Sequence, residues 1–279
     1  MPELPEVETI KNAIEKAIGF TNIINVTINN NRFREIIPDD FREKILHSRI
    51  ISYQRQAKYI IIGLDNGLSL IWHLGMSGRV KICDKMPETF DKHDHVIIET
   101  EKGILIYNDA RRFGLLTYYE TQQLTKHHLL CRLGIDPFDN AFNGEYLFKK
   151  LKNKKVPIKI ALLDQTIING IGNIYASEAL YSARILPTRC AGEISKKECE
   201  TLAESIRLTL EKAIEAGGST LKDYIKPDGS MGYFQNMHCV YNKTGQKCSD
   251  CTCNISQTGG IKKIVQAGRS SFYCPTKQK

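Results

Sequence analysis

A chain of 279 residues with 42% hydrophobic and 25% charged side chains is long enough for one large or two ordinary globular domains, and no apolar run reaches the length of a membrane span. Its start carries glutamates where a secretory signal would carry basic residues and then a long apolar stretch, so a cytoplasmic protein is expected. The net charge of +8 is unevenly laid out, with 20 Lys and Arg against 20 Asp and Glu in residues 1–150 but 19 against 11 in residues 151–279, which points the second half toward a nucleic acid or another anionic partner.

In chain order, the first signal is Met1-Pro2-Glu3-Leu4-Pro5-Glu6-Val7-Glu8. Proline at the second position permits removal of Met1, which leaves a secondary amine as a potential nucleophile, and Glu3 and Glu6 stand close enough in sequence to move its protons. The same run also reads as an acidic helix start. Val7, Ile10, Ile14, Ala17 and Ile18 then follow helical spacing. Strands come next. Ile24, Val26 and Ile28 alternate, 57–64 and 68–74 are apolar runs joined at the Asn66-Gly67 turn, and 96–99 and 104–107 repeat the pattern around Gly103. The first half reads as a β-sandwich with an added helix.

Helical periodicity is expected from about residue 125 to 140. Ser195 and Glu198 form a capping-box signature ahead of Leu202, Ile206, Leu210 and Ile214, and Gly217-Gly218 ends that helix. Residues 218–233, rich in Gly, Pro, Asp and Lys, read as a loop. Of nine cysteines, four fall between Cys248 and Cys274, a clustering that without an export signal argues for metal rather than disulfides. Cys83, Cys131, Cys190 and Cys199 read as ordinary buried thiols.

Several short motifs carry chemistry. Arg111-Arg112-Phe113-Gly114 sets cations beside an aromatic ring, a combination that grips phosphates and wedges a side chain into a base stack, or equally a surface pair beside a core Phe. Met76, between Gly75 and Gly78, is an apolar side chain on a tight loop. Gly170-Ile171-Gly172-Asn173 brings backbone amides and an Asn side chain to a helix start, where a phosphate fits; as a dinucleotide signal it lacks the third glycine. His93 and His95 would share a strand face as a metal pair or, with no further ligand cluster nearby, as ordinary strand residues. Cys248-Ser249-Asp250-Cys251 is a thiolate pair with metal-ligand spacing.

Taken in order along nearly the whole chain, the N-terminal run, Gln56-Ala57-Lys58-Tyr59, His73–Gly78, Arg111–Gly114, the segment from Lys159 to Glu178, and Gln266-Ala267-Gly268-Arg269 with its cysteines resemble the formamidopyrimidine-DNA glycosylases. Leu4 fits the oxidised-purine branch better than the endonuclease VIII branch. The resemblance implies an α+β fold, with an N-terminal β-sandwich and flanking helices (1–130), a helical helix-two-turn-helix domain with a lesion-capping loop (131–236) and a zinc-finger-like β-hairpin (237–279). It also implies a base-excision-repair glycosylase and lyase, a monomer associated with the nucleoid and acting on damaged double-stranded DNA. Catalytic parts fall to Pro2, Glu3, Lys58 and Arg269, and DNA contacts to Glu6, Met76, His93, Arg111, Phe113, Lys159 and Asn173. Zinc would be held by Cys248, Cys251 and Cys274. The chain departs from the pattern at Lys277, where a fourth cysteine is expected, so the fourth ligand is Cys253, Cys239 or an exogenous group, or the hairpin folds without zinc. Two rival readings remain: an oxidised-pyrimidine enzyme, and a non-catalytic damage binder in which the amine is idle.

Overall fold

The computed structural model is described for residues 1–219, 232–250 and 254–279. These residues form two compact units, 1–131 with 216–233 and 132–215 with 234–279.

In the first unit, α1 (Leu4–Ile18) has Glu3 at its N-cap and a proline in its first turn, and Val7, Ile10, Ile14 and Ile18 are buried along one face. Next come β1 (Ile23–Ile28), a short α2 (Phe41–Ile45), β2 (Ile50–Gln56), β3 (Tyr59–Leu64), β4 (Leu68–His73), β5 (Arg79–Cys83), β6 (Asp94–Thr100), β7 (Gly103–Asn108) and β8 (Leu115–Glu120). They pair into two four-stranded sheets, ordered β1-β6-β7-β5 and β2-β3-β4-β8, with every pairing antiparallel. One core takes Val96, Ile98, Leu105 and Tyr107 from the first sheet, Ile60, Ile62, Leu70 and Trp72 from the second, and the buried face of α1. Each such side chain contributes roughly 1.5–3 kcal/mol by leaving water. This is the sandwich with an added helix.

Two local expectations fail for identifiable reasons. Ile24, Val26 and Ile28 do not share a face, because the pairing with β6 slips between Ile23 and Asn25; Ile23 and Val26 turn inward and Ile24 is 49% exposed. The periodicity over 125–140 produces no α-helix either. Thr121–Lys126 is a 3-10 segment, and beyond it the backbone bonds to tertiary partners: Gly134 N donates to Gln165 O and Ile135 bridges Ile168. Asp136 Oδ1 accepts from Phe138 N across Pro137, which has no N–H to give a helix.

The second unit holds α3 (Gly144–Leu151), α4 (Ile158–Leu162), α5 (Asn173–Ser182) and α6 (Lys196–Glu215). The capping box before α6 is formed, with Ser195 N donating to Glu198 Oε2 at 2.9 Å and Glu198 N to Ser195 Oγ at 3.3 Å. The chain closes with α7 (Ile255–Thr258) and the antiparallel pair β9 (Lys262–Gln266) and β10 (Arg269–Tyr273). Tyr181 of α5 shares a core with Val240, Cys248, Ile261, Phe272 and Cys274, so the helical segment and the hairpin are packed as one body. Among the described residues, no helix is long and apolar enough to cross a membrane.

Candidate nucleic-acid interface

Pro2 and Glu3 are buried at the start of α1, behind an exposed Met1. Glu6, 2% exposed, directs both carboxylate oxygens at main-chain amides: Oε2 accepts from Glu3 N and Oε1 from Ser219 N, each at 2.8 Å. Gly218 makes that approach possible. Its φ is +79°, and a Cβ there would sit 2.9 Å from Glu6 Oε1. Glu6 therefore anchors the point where the expected lesion-capping loop begins; residues 220–231 of that loop lie outside the described residues.

Lys58 occupies the two-residue connection between β2 and β3, where Gln56 pairs with Tyr59 and Ala57 adopts φ +55°. Arg55 fixes this turn by donating to Ala57 O at 3.2 Å and to Glu8 Oε2 at 2.7 Å, and Lys58 is 6% exposed. Nearby charge is felt by His73. Burial first, then Arg34 and Lys58, push its pKa down to about 4, and the neutral ring accepts from Gly75 N through Nδ1 at 3.0 Å.

The two loops suited to wedging are joined by one buried carboxylate. Asp109 is 0% exposed. Its Oδ1 accepts from Ser77 Oγ (2.6 Å) and Arg111 N (3.3 Å), and its Oδ2 accepts from Gly114 N (2.9 Å). Ser77 follows Met76, so one side chain sets the loop of Met76 and the loop of Arg111 to Phe113 against each other. Gly75 completes the contact, because at φ +61° its Cβ would stand 2.4 Å from both Gly114 N and Phe113 C. Met76 (39%) and Phe113 (49%) remain exposed on this rigid base, with Arg111 lying 4.7 Å from the Phe113 ring centroid. Exposed apolar side chains held by a buried polar anchor are what wedging requires. In the sequence, the signal for Asp109 is a carboxylate just ahead of a run of loop amides.

His93 is half-buried and its carbonyl accepts from Asp109 N at 3.1 Å. Its ring lies 6.0 Å from that of His95, whose Nε2 is 3.0 Å from Asp109 O. The two histidines thus share a face.

In the second unit, Gln165 shapes the turn before α5, donating to Ile171 O and accepting from Gly170 N at 2.9 Å each. Asn173 is the first residue of α5, at the positive end of the helix. Its side chain faces inward: Oδ1 accepts from Lys159 Nζ at 2.6 Å, and Nδ2 donates to Ser270 O at 2.9 Å. Lys159, expected among the DNA contacts, is buried in this structure. It is 1% exposed, and Nζ also donates to Ser270 O (2.7 Å) and Ser271 Oγ (2.8 Å), so its charge serves acceptors inside the protein. Arg269 follows Ala267 and Gly268, both at positive φ (+46° and +74°) in a two-residue hairpin turn, and is exposed at the tip.

Glu178 has an architectural part that its type does not announce. Its buried carboxylate accepts from Cys239 N, Val240 N and Tyr241 N at 2.7, 3.0 and 2.7 Å; burial pushes its pKa up, against the pull of those amides. Beyond this clamp, Cys248 Sγ and Cys274 Sγ lie 3.5 Å apart, both buried. Cys251 and Cys253 lie outside the described residues, and among the described residues no three His, Cys, Asp or Glu side chains gather as a metal cluster.

These features define an α+β fold with a buried Pro2-Glu3 pair at the head of α1, and comparison with known proteins makes the class specific. Residues 1–116 match the formamidopyrimidine-DNA glycosylase N-terminal domain and residues 133–224 match the H2TH domain of the same enzymes. The chain belongs to the formamidopyrimidine-DNA glycosylase family. It is 43% identical to a formamidopyrimidine-DNA glycosylase of Cereibacter sphaeroides and 41% identical to one of Rhodospirillum rubrum, in each case over 100% of both chains. Among solved structures, it is similar to a Lactococcus lactis FPG mutant in complex with a Fapy-dG containing DNA, with a TM-score of 0.90, 34% identity and 100% of each chain covered. It is also similar to wild-type Lactococcus lactis Fpg in complex with an oxidised-pyrimidine containing DNA, with a TM-score of 0.89 at the same identity and coverage.

Proposed function

We propose that this protein is a DNA glycosylase and abasic-site lyase of base excision repair, removing oxidised purines such as 8-oxoguanine and formamidopyrimidines from double-stranded DNA. The observation that carries this is the intact Pro2-Glu3 pair at the head of α1 in a chain that matches the family end to end. Once Met1 is removed, the Pro2 amine attacks the anomeric carbon of a flipped nucleotide and the damaged base leaves. Glu3 moves the proton that ring opening of the sugar requires. The resulting iminium acidifies the adjacent sugar carbon, so β- and then δ-elimination release both phosphates, with Lys58 and Arg269 beside the strand as proton carriers and phosphate partners. Met76, Arg111 and Phe113 fill the gap left in the stack, which lowers the cost of flipping. His93 contacts the strand from the first unit, and the N-terminus of α5, oriented through Asn173, holds a phosphate. Glu6 acts on the lesion through the main chain it anchors at Ser219.

Zinc belongs to the same reading. Two buried thiols at 3.5 Å approach the edge of a tetrahedral thiolate site, about 3.8 Å for Zn–S bonds of about 2.3 Å. Cys248, Cys251 and Cys274 would hold the ion, which takes no part in bond breaking; Lys277, a cation at neutral pH, is not a ligand. The protein works as a monomer on chromosomal DNA, in the cytoplasm at the nucleoid.

The test is Pro2→Gly, expected to lose most excision of 8-oxoguanine from a duplex while retaining affinity for the lesion. Unchanged turnover would remove Pro2 from the chemistry.

A further inference from the structure

The base of the hairpin carries an arrangement that this chemistry does not use. Lys277 Nζ lies 2.9 Å from Asp250 Oδ2 and 4.2 Å from the centroid of the Tyr181 ring, and the Lys277 side chain is only 11% exposed. Tyr181 is 1% exposed in the core that contains Cys248, Phe272 and Cys274, and Asp250 N points at its hydroxyl at 3.4 Å. The next residue, Gln278, is also 1% exposed; it accepts from Cys274 N and donates to Ile185 O, each at 2.8 Å. Two successive residues after Cys274 therefore fasten the end of β10 to the α5 region through their side chains, and the main chain of Lys279 adds bonds to Arg184 and Leu186.

An exposed ion pair contributes little, since water screens it and two mobile side chains must be ordered. Here one face of the ammonium is covered by an aromatic ring whose quadrupole attracts it, and Gln278 already fixes the backbone beside it, so less freedom is lost when the pair forms. Lys277 stands at the position where a fourth thiolate would close a metal site, and it bridges the same two segments that such a thiolate would bridge, 248–250 and 274–278.

We propose that Lys277, Asp250 and Tyr181 form a latch that closes the hairpin base in place of a fourth cysteine, so that the presentation of Arg269 depends on this ion pair more than on bound metal. The affinity arm of the test rests on the reading of the hairpin as a phosphate grip; the exchange arm does not.

Amide hydrogen exchange of the full chain, read at Lys262–Gln266 and Arg269–Tyr273, separates latch from metal. The parent, Lys277→Met, Asp250→Asn and Lys277→Cys proteins are each measured zinc-loaded and after chelation, with α1 as the internal control for folding. Lys277→Met is expected to exchange roughly tenfold faster in both states, and Asp250→Asn several-fold faster. The parent should change less than about threefold on chelation, yet lose protection in about 1 M salt. Lys277→Cys should regain protection with zinc and lose it with the chelator. Affinity for a duplex carrying an abasic-site analogue should follow the same order; exchange that responds while affinity does not would leave the latch standing and remove the hairpin from the grip. Protection unchanged in both Lys277→Met and Asp250→Asn, or a parent that loses its hairpin on chelation as fully as Lys277→Cys does, would overturn the proposal.

Discussion

The two units organise their candidate DNA contacts around buried charges of opposite sign. In the first, Asp109 accepts from Ser77, Arg111 and Gly114 and so sets the two wedge loops. In the second, Lys159 donates to Asn173, Ser270 and Ser271 and so sets the start of α5 against the hairpin that ends in Arg269. Each choice follows from what has to be held. Loops offer spare amide hydrogens, which a carboxylate gathers; a helix end meeting a strand offers oxygens, which an ammonium gathers. Both charges are buried, and both are tolerated in the interior because the surrounding partners satisfy them.

Breaking the anchors gives the largest effects. Asp109→Ala strands buried donors and is expected to lower stability by about 3–5 kcal/mol in a denaturant titration, with 8-oxoguanine excision falling further than binding to undamaged duplex. An equal loss for both substrates would make Asp109 merely structural. Lys159→Met leaves Asn173 Oδ1 and Ser271 Oγ without this donor, while Ser270 O keeps Asn173 Nδ2, and should cost about 2–4 kcal/mol of stability, with the salt dependence of DNA binding as in the parent if that charge serves only these interior acceptors. A slope reduced by about one would return Lys159 to the DNA surface.

Arg269→Ala is the counterpart that sharpens the contrast. It should weaken DNA binding by about 1 to 3 kcal/mol and reduce that slope by about one, with stability unchanged. The smallest effect is acid sensitivity. His73 in the first unit and His238 in the second are both pushed down to about 4, chiefly by burial, so the unfolded chain binds the extra protons between pH 6.5 and 4. Their contribution is complete above pH 6.5 and is lost as pH falls toward 4. His73→Gln should remove on the order of 1–2 kcal/mol of that loss, measured as stability at pH 7 minus stability at pH 4.5; an unaltered difference would show that His73 is already charged in the fold.

Much of this was legible in the residues, and the exceptions have physical causes. The helical period of Val7 to Ile18, the Asn66-Gly67 turn, the Ser195–Glu198 box and the Gly217-Gly218 stop are local signals, and the fold leaves local signals intact where nothing nearby competes. Ile24 misleads because a bulge costs one residue of register and so inverts the faces of a strand. The 125–140 segment misleads because its backbone finds partners far along the chain, around Gln165 and Ile168. The interior partners of Lys159 and Glu178 are hidden in the sequence for a different reason. Charged residues are ordinarily at the surface, and only the three-dimensional arrangement reveals three acceptors around one and three amides around the other. The candidate wedge residues are visible from their glycines and arginines, whereas the carboxylate that holds their loops is visible only as one more acid.

The most direct measurement is peptide mapping of the complex trapped by borohydride on a duplex with one 8-oxoguanine opposite cytosine, recorded by mass spectrometry. The account predicts that Met1 is absent and that the sugar fragment is attached to the Pro2 nitrogen. An adduct on Lys58 or another lysine, or a trapped protein that still carries Met1, would contradict it.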